Sequence, residues 1–235
     1  MMHFSRPQPI FENRQDAGRQ LASKLKMYQA QSVAVLAIPN GGVPVALEVA
    51  IILKADLDLI ICRKIPLPLT PEGGFGACAD DGTVILNEEI VKRIGLSRHQ
   101  IEHEARRVRI EIKRRSLLYK GDQPLVKING RTTIIIDDGM ASGITMIAAV
   151  ESVRHRQPGE VVVAVPCAAA MAVRKLEKVA DRVITCSSDL VPKFVVANYY
   201  RYWYDLSDED VLHNLKTWRK WKFNDNVKLP PSDYK

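Results

Sequence analysis

The sequence predicts an α/β fold built on a doubly wound, mainly parallel sheet. Three observations carry this expectation. Apolar runs rich in Val and Ile recur along the chain, and helical patterns separate them. The runs are also near-continuous rather than alternating, as in strands covered on both faces. They lie at 32–39 (SVAVLAIP), 58–64 (DLIICRK), 132–138 (TTIIIDD), 161–169 (VVVAVPCAA) and 181–188 (DRVITCSS). The patterns at 43–53, 145–156 and 171–180 read as the connecting helices. Strand and helix in alternation imply parallel neighbours joined by right-handed crossovers.

The stretch between the second and third runs is long. A D-G turn between two short strand-like runs predicts a hairpin over 76–87. A basic helix is expected from about Ser97, its N-cap, to Tyr119, where KGDQP stops it. Near the end, LSDEDVLHNLKTW reads as a helix capped by Ser207, with acids in its first turn. The 235 residues fit one large domain, with a core over about 30–190. The tail 224–235 is polar, contains proline, and reads as loose.

Composition narrows the function classes. No apolar run reaches the roughly 18 residues of a membrane span. MMHFSRPQPIFENRQ lacks the apolar centre of a signal peptide, so a cytoplasmic protein is expected. Cys62, Cys78, Cys167 and Cys186 are widely spaced with no C-x-x-C pair, which argues against a disulfide framework or structural zinc. With 34 Lys and Arg against 27 Asp and Glu, the net charge is +7. Much of it sits at 98–120, where Arg98, Arg106, Arg107, Arg109, Lys113, Arg114, Arg115 and Lys120 face only Glu102, Glu104 and Glu111. This stretch reads as a solvated helix face with acids and bases at helical spacing. A polyanion surface, including one for nucleic acid, is the alternative. WRKWKF (218–223) alternates basic and aromatic residues and reads as a partly buried helix end, with a nucleic-acid or partner contact as its alternative.

TTIIIDDGMASGIT (132–145) carries the most chemistry. In open α/β sheets, ligands bind beyond the carboxyl ends of strands, where Asp137 and Asp138 stand. Gly139, Met140, Ala141, Ser142, Gly143 and Thr145 follow at a helix N-terminus, whose free amides and dipole favour an anion. Ser142 and Thr145 add hydroxyl donors. Carboxylates accept hydrogen bonds from a sugar diol and help to hold Mg²⁺. A ligand with a phosphate at one end and hydroxyls or a metal a few ångströms away satisfies both halves, and ribose 5-phosphate has that layout. A second strand–turn–helix junction, AIPNGGVPVALEVA (37–50), offers the amides of Asn40, Gly41 and Gly42 to another anion. Neither G-x-G-x-x-G nor G-x-x-x-x-G-K-[ST] occurs. Arg63 and Lys64 end the second apolar run. They either supply charge at the same sheet edge or simply leave the strand.

Taken together, IIIDDGMASGIT and its surroundings resemble the type I phosphoribosyltransferases. The match is to that family's motif for 5-phosphoribosyl-1-pyrophosphate (PRPP). IPNGG, CRK, GACADDG and NEE follow in the order seen in a bacterial and archaeal branch of the family, and the resemblance covers roughly 32–215. It implies a phosphoribosyltransferase that uses Mg²⁺ and PRPP, acts on an unidentified nitrogen acceptor, and forms a homodimer. Asp137 and Asp138 would hold the ribose hydroxyls, directly or through Mg²⁺, and would share the catalytic role with Lys64. Residues 139–145 would cradle the 5-phosphate. Asn40, Gly41, Gly42, Arg63 and Lys64 would bind pyrophosphate. A hood built from 1–30 and 190–215 would select the acceptor, and the hairpin after Lys64 lies where a mobile loop closes.

The residues depart from the family pattern at two places. The branch often has Arg where Asn40 stands, and hypoxanthine–guanine members carry Asp at the position of Ala141. PKFVV is similar to the base-stacking segment of those members, which would assign Phe194 and Val195 to the acceptor. As residues alone, Phe194, Val195 and Val196 read as a strand packed into the core. A PRPP-sensing regulator acting on nucleic acid or a protein is the alternative to an enzyme.

Overall fold

The computed structural model describes residues 9–67, 70–121, 123–191 and 193–223. Both the loose tail expected at 224–235 and the first eight residues of the expected hood lie outside these. The element order is α1 (Arg14–Lys24), β1 (Val33–Ala37), α2 (Gly42–Leu53), β2 (Asp56–Leu59), β3 (Cys62–Leu67), β4 (Thr70–Ala79), β5 (Val84–Leu86), α3 (Glu88–Ile94), α4 (Arg98–Lys120), β6 (Thr132–Ile136), α5 (Ile144–Arg154), β7 (Glu160–Ala169), α6 (Ala170–Leu176), β8 (Arg182–Asp189) and α7 (Asp208–Phe223).

The main sheet has five parallel strands in the order β2-β1-β6-β7-β8. Both faces are covered, which explains the continuous apolar runs. Val33, Val35 and Ala37 face the layer formed with α1, α2, α4 and α7. Ala34 and Leu36 face the layer formed with α5 and α6. Strand order reverses between β1 and β6, because the chain winds outward from β1 to β2 and later returns to lay β6 on the other side. The loops leaving β1 and β6 therefore part at the carboxyl edge and open a crevice. Ala37 and Ile136 are register partners, so both loops start at one level.

The expected second strand is not one strand. β2 ends at Leu59, while Cys62–Leu67 belongs to a separate antiparallel sheet, β3-β4-β5. The reason lies in β1. The Ile60 amide still reaches the Ala37 carbonyl at 3.0 Å. Pro39 then has no N–H with which to extend the ladder, and the chain crosses to pair Cys62 with Ala79. Arg63 and Lys64 thus open a strand of the small sheet rather than close one of the large sheet. The hairpin expected at 76–87 is present as β4 and β5, with Asp81 closing its turn onto Thr83 at 2.9 Å.

The basic helix is α4, with a full capping box between Ser97 and Gln100. Ser207 and Asp210 form the same reciprocal pair at the start of α7. Helix α1 was not among the expected elements. The strand reading of 194–196 is also replaced, by a 3-10 turn at Val196–Tyr199.

Candidate ligand-binding site

A cavity of about 510 Å³ opens at the crevice. Its walls include Pro39 from the β1 loop, Asp137 and Thr145 from the β6–α5 junction, Arg63 and Lys64 from β3, and Glu111 from α4. Four residues nominated from sequence in two separate segments, Asp137, Thr145, Arg63 and Lys64, thus meet at one opening. Asn40, Asp138, Phe194 and Val195 are not among its lining residues.

The two aspartates have different surroundings. The Asp137 carboxylate faces the cavity and accepts the Asp138 amide at 2.8 Å. Asp138 turns the other way and accepts Arg14 Nε at 2.8 Å. Arg14 also donates to the Tyr204 carbonyl at 2.9 Å and stacks over Trp203, 3.9 Å from the ring centre. Tyr200 donates its hydroxyl to the Asp138 carbonyl at 2.5 Å. Burial raises both carboxyl pKa values. Asp137 goes well above the ordinary range, with the adjacent Asp138 charge adding to the effect. For Asp138, Arg14 opposes the rise.

Close approach shapes the first loop. A Cβ on Gly41 would fall 1.9 Å from Asp138 Oδ2, so only glycine lets the β1 loop run beside that carboxylate. In the second loop, Met140 spends its amide on the Cys167 carbonyl at 2.9 Å and receives Ala169 N at 2.8 Å, which pins the loop to β7. Gly143 has φ 79° and caps α5, so the loop turns directly into the helix. The first amides of α5 then lack intrahelical acceptors; that of Ile144 reaches Ser142 Oγ at 3.5 Å, and those that follow face the loop end where an anion would sit.

Asn40 has both ends of its side chain engaged. Its Nδ2 donates to the Leu206 carbonyl at 2.7 Å, and its Oδ1 accepts Arg115 at 2.6 Å and the Tyr119 hydroxyl at 3.2 Å. The Phe194 ring stacks on Tyr199, 4.9 Å between centres, and belongs with Phe11, Cys167 and Tyr200 to a small apolar cluster. Residues 10–12 run beside 199–202, joined by the Arg201 amide to Phe11 at 2.8 Å and the Tyr202 amide to Glu12 at 2.9 Å.

Sequence did not single out Arg14 or Trp203, and it marked Arg115 only as one of the basic residues of 98–120. Arg14 had a signal. Asn13 caps α1, and Ala17, Leu21, Ala22 and Leu25 mark a buried stripe behind it. Nothing local marks Arg115 among its basic neighbours. Along α4, Glu102 pairs with Arg109, Glu104 with Arg107, and Glu111 with Arg114 and Arg115. In WRKWKF, Trp218 is buried and stacks on Trp221 at 5.2 Å, which leaves those rings facing each other. No helix among the described residues is long and apolar enough to cross a membrane.

A doubly wound sheet whose crevice joins a D-D loop, a helix N-terminus and basic side chains defines a phosphoribosyltransferase-type domain. The chain belongs to that family, matching the phosphoribosyl transferase domain over residues 77–203. Two Mycobacterium tuberculosis proteins, from strains CDC 1551 and H37Rv, each bear the name "Putative phosphoribosyl transferase". Both are 37% identical over 203 residues, covering 86% of this chain and 46% of theirs. The chain therefore spans about half the length of the curated relatives it matches. The crystal structure of TT1426 from Thermus thermophilus is similar, with a TM-score of 0.73 and 35% identity over 88% of this chain and 98% of that one.

Proposed function

We propose that this phosphoribosyltransferase-family chain binds Mg·PRPP in the crevice, transfers the phosphoribosyl group to a nitrogen nucleophile, and releases pyrophosphate. One observation carries the reading: Asp137, Thr145, Arg63 and Lys64 line a single cavity. That set combines a sugar-hydroxyl acceptor, a phosphate donor group and two cations for a leaving pyrophosphate. The resemblance of IIIDDGMASGIT to the family's PRPP motif supports it.

Mg²⁺ fits this donor set. It holds near-octahedral geometry with one or two carboxylates, the remainder coming from phosphate oxygens and water. Asp137 would hold it, while Asp138, expected to share that role, is turned to Arg14 and would steady the loop instead, and the ion would neutralise charge on the pyrophosphate. The chain's own residues do the rest. Gly139–Thr145 cradle the 5-phosphate, excepting the Met140 amide. The amides of the Asn40–Gly42 loop, with Arg63 and Lys64, meet the pyrophosphate. A cation-like anomeric carbon is then served by positioning, by leaving-group neutralisation and by exclusion of water.

We read 9–30 and 190–215 as a hood over the acceptor, with Phe194 and Val195 at its edge, on a core of about 30–190. The expected compartment is the cytoplasm and the expected assembly a homodimer, both by resemblance to the family.

The test is pyrophosphate release from Mg·PRPP across a panel of nucleobases and other nitrogen nucleophiles, with calorimetric titration of Mg·PRPP beside it. Release with at least one acceptor, and loss of PRPP binding in Asp137→Asn, is the expected result. Unchanged titration of that variant would remove the assignment.

A further inference from the structure

Helix α4 presents one face to the crevice. Glu104, Arg107, Val108 and Glu111 line the cavity, and Arg115, one turn beyond Glu111, reaches the Asn40 loop. The spacing of Glu104, Arg107, Glu111 and Arg115, three or four residues at each step, keeps them on one side of the helix. Glu111 is the hub of this face. It accepts Arg114 Nε at 2.8 Å and Arg115 Nε at 2.8 Å, and lies 3.8 Å from Arg63 on β3. Three guanidiniums from two elements thus share one carboxylate, and Arg114 also reaches a second, Asp208 at 2.9 Å.

Such an arrangement is electrostatically incomplete. Arg63 is partly buried, and both its burial and the proximity of Arg115 work against its charge. The guanidiniums of Arg114 and Arg115 hold Glu111 far down, at about 2. Like charges gathered in a crevice repel, and a multivalent anion relieves that repulsion better than a single carboxylate. Asn40 shows where such an anion would lie. Its side-chain donor is spent on Leu206, so the charge available beside that loop comes from Arg115 and Arg63.

We propose that Arg115, from α4, joins Arg63 and Lys64 on the pyrophosphate, and that Glu111 is a resident counter-ion whose hold on Arg115 the pyrophosphate displaces. Helix α4 thereby brings a guanidinium to the Asn40 loop from 75 residues away in the chain. The inference rests on the reading of the crevice as a PRPP site and adds to it a role for α4. Arg115 leaves Glu111 and donates to pyrophosphate oxygens, while Glu111 stays paired with Arg114.

The test is calorimetric binding of inorganic pyrophosphate with Mg²⁺ to the full chain at low and moderate salt. Arg115→Gln should weaken binding by roughly tenfold or more, the scale of a lost charge-assisted hydrogen bond. Arg115→Lys, which keeps the charge, should recover much of it. Glu111→Gln should tighten binding by a few fold, because the competing anion is gone. A merely structural Glu111 would not produce that gain. Pyrophosphate affinity unchanged in Arg115→Gln, or weakened in Glu111→Gln with the fold intact by circular dichroism, overturns the proposal. Wild-type protein that binds Mg·PRPP in an Asp137-dependent way while giving either result removes this inference alone. Wild-type protein that binds neither ligand removes the underlying reading as well.

Discussion

Arg14 Nε donates to the Asp138 carboxylate at 2.8 Å across 124 residues of sequence. The two side chains are only 7% and 14% exposed, so this pair behaves as a buried ion pair rather than a surface one. It ties the N-terminal helix to the D-D loop and orients the second acid away from the cavity. Removing one partner leaves an uncompensated buried charge. Arg14→Ala should cost about 3 kcal/mol or more, lowering Tm by roughly 6–12 °C in a chain of this size. Combining it with Asp138→Asn should recover part of the loss. Additive losses in thermal unfolding would show that the pair is not coupled.

Gly41 predicts a sharper effect on ligand than on stability. Gly41→Ala places a methyl group 1.9 Å from Asp138 Oδ2, and either the loop or the carboxylate must move. Mg·PRPP binding should fall by at least tenfold, about 1.4 kcal/mol. Titration of the purified variant decides it, and wild-type affinity would refute the close approach.

The acids also predict a pH dependence. Burial raises both carboxyl pKa values in the folded state, so their ionised forms are disfavoured there. Stability from these groups is therefore lost as pH rises through the folded values, and is fuller on the acid side. Ligand binding runs the opposite way, because sugar and metal require the ionised acids. Mg·PRPP affinity should begin to fall on acidification while still above the ordinary carboxylate range near ~4. In Asp138→Asn the neighbouring charge is gone, so the residual dependence should move to lower pH. Affinity that stays flat down to pH ~4 would contradict this.

Glu48 offers a stability prediction remote from the site. It is buried in α2, one carboxylate oxygen has no partner among the described residues, and Arg19 stands 3.7 Å from the other. Burial raises its pKa. A raised carboxyl destabilises the fold above that pKa, and the penalty fades as the pH falls from there to the ordinary carboxylate range. Glu48→Gln should therefore stabilise the protein at pH 7 by about 1 kcal/mol, a gain of roughly 2–4 °C in Tm. The advantage should shrink as the pH falls through the Glu48 value. Thermal scans at neutral and at mildly acidic pH measure both effects.

Much of the architecture is legible in the chain because its signals are local. Four of the five parallel strands (β1, β6, β7 and β8), α2, α5 and α6, the 76–87 hairpin and the Ser97 and Ser207 caps each follow from a run, a turn or a cap within a few residues. The failures share one cause. DLIICRK is apolar enough for one strand, yet its partner β1 ends at Ala37, and partner length is not written in the strand itself. PKFVV has strand composition, yet its Phe194 stacks on Tyr199 and the chain turns into a 3-10 segment at Val196.

The candidate site divides in the same way. The proposed ligand chemistry comes from the chain alone, because two acids, small loop residues and a helix start are contiguous in 137–145. Arg63 and Lys64 are marked there too, since their charge stands out at the end of an apolar run. Which acid faces the cavity and which is held by Arg14 emerges only in three dimensions, as does the place of Arg115 beside Asn40. Ion pairs and crevice walls depend on distances between segments far apart in the chain. Those distances are set by sheet order and helix packing, and no short stretch of residues carries them.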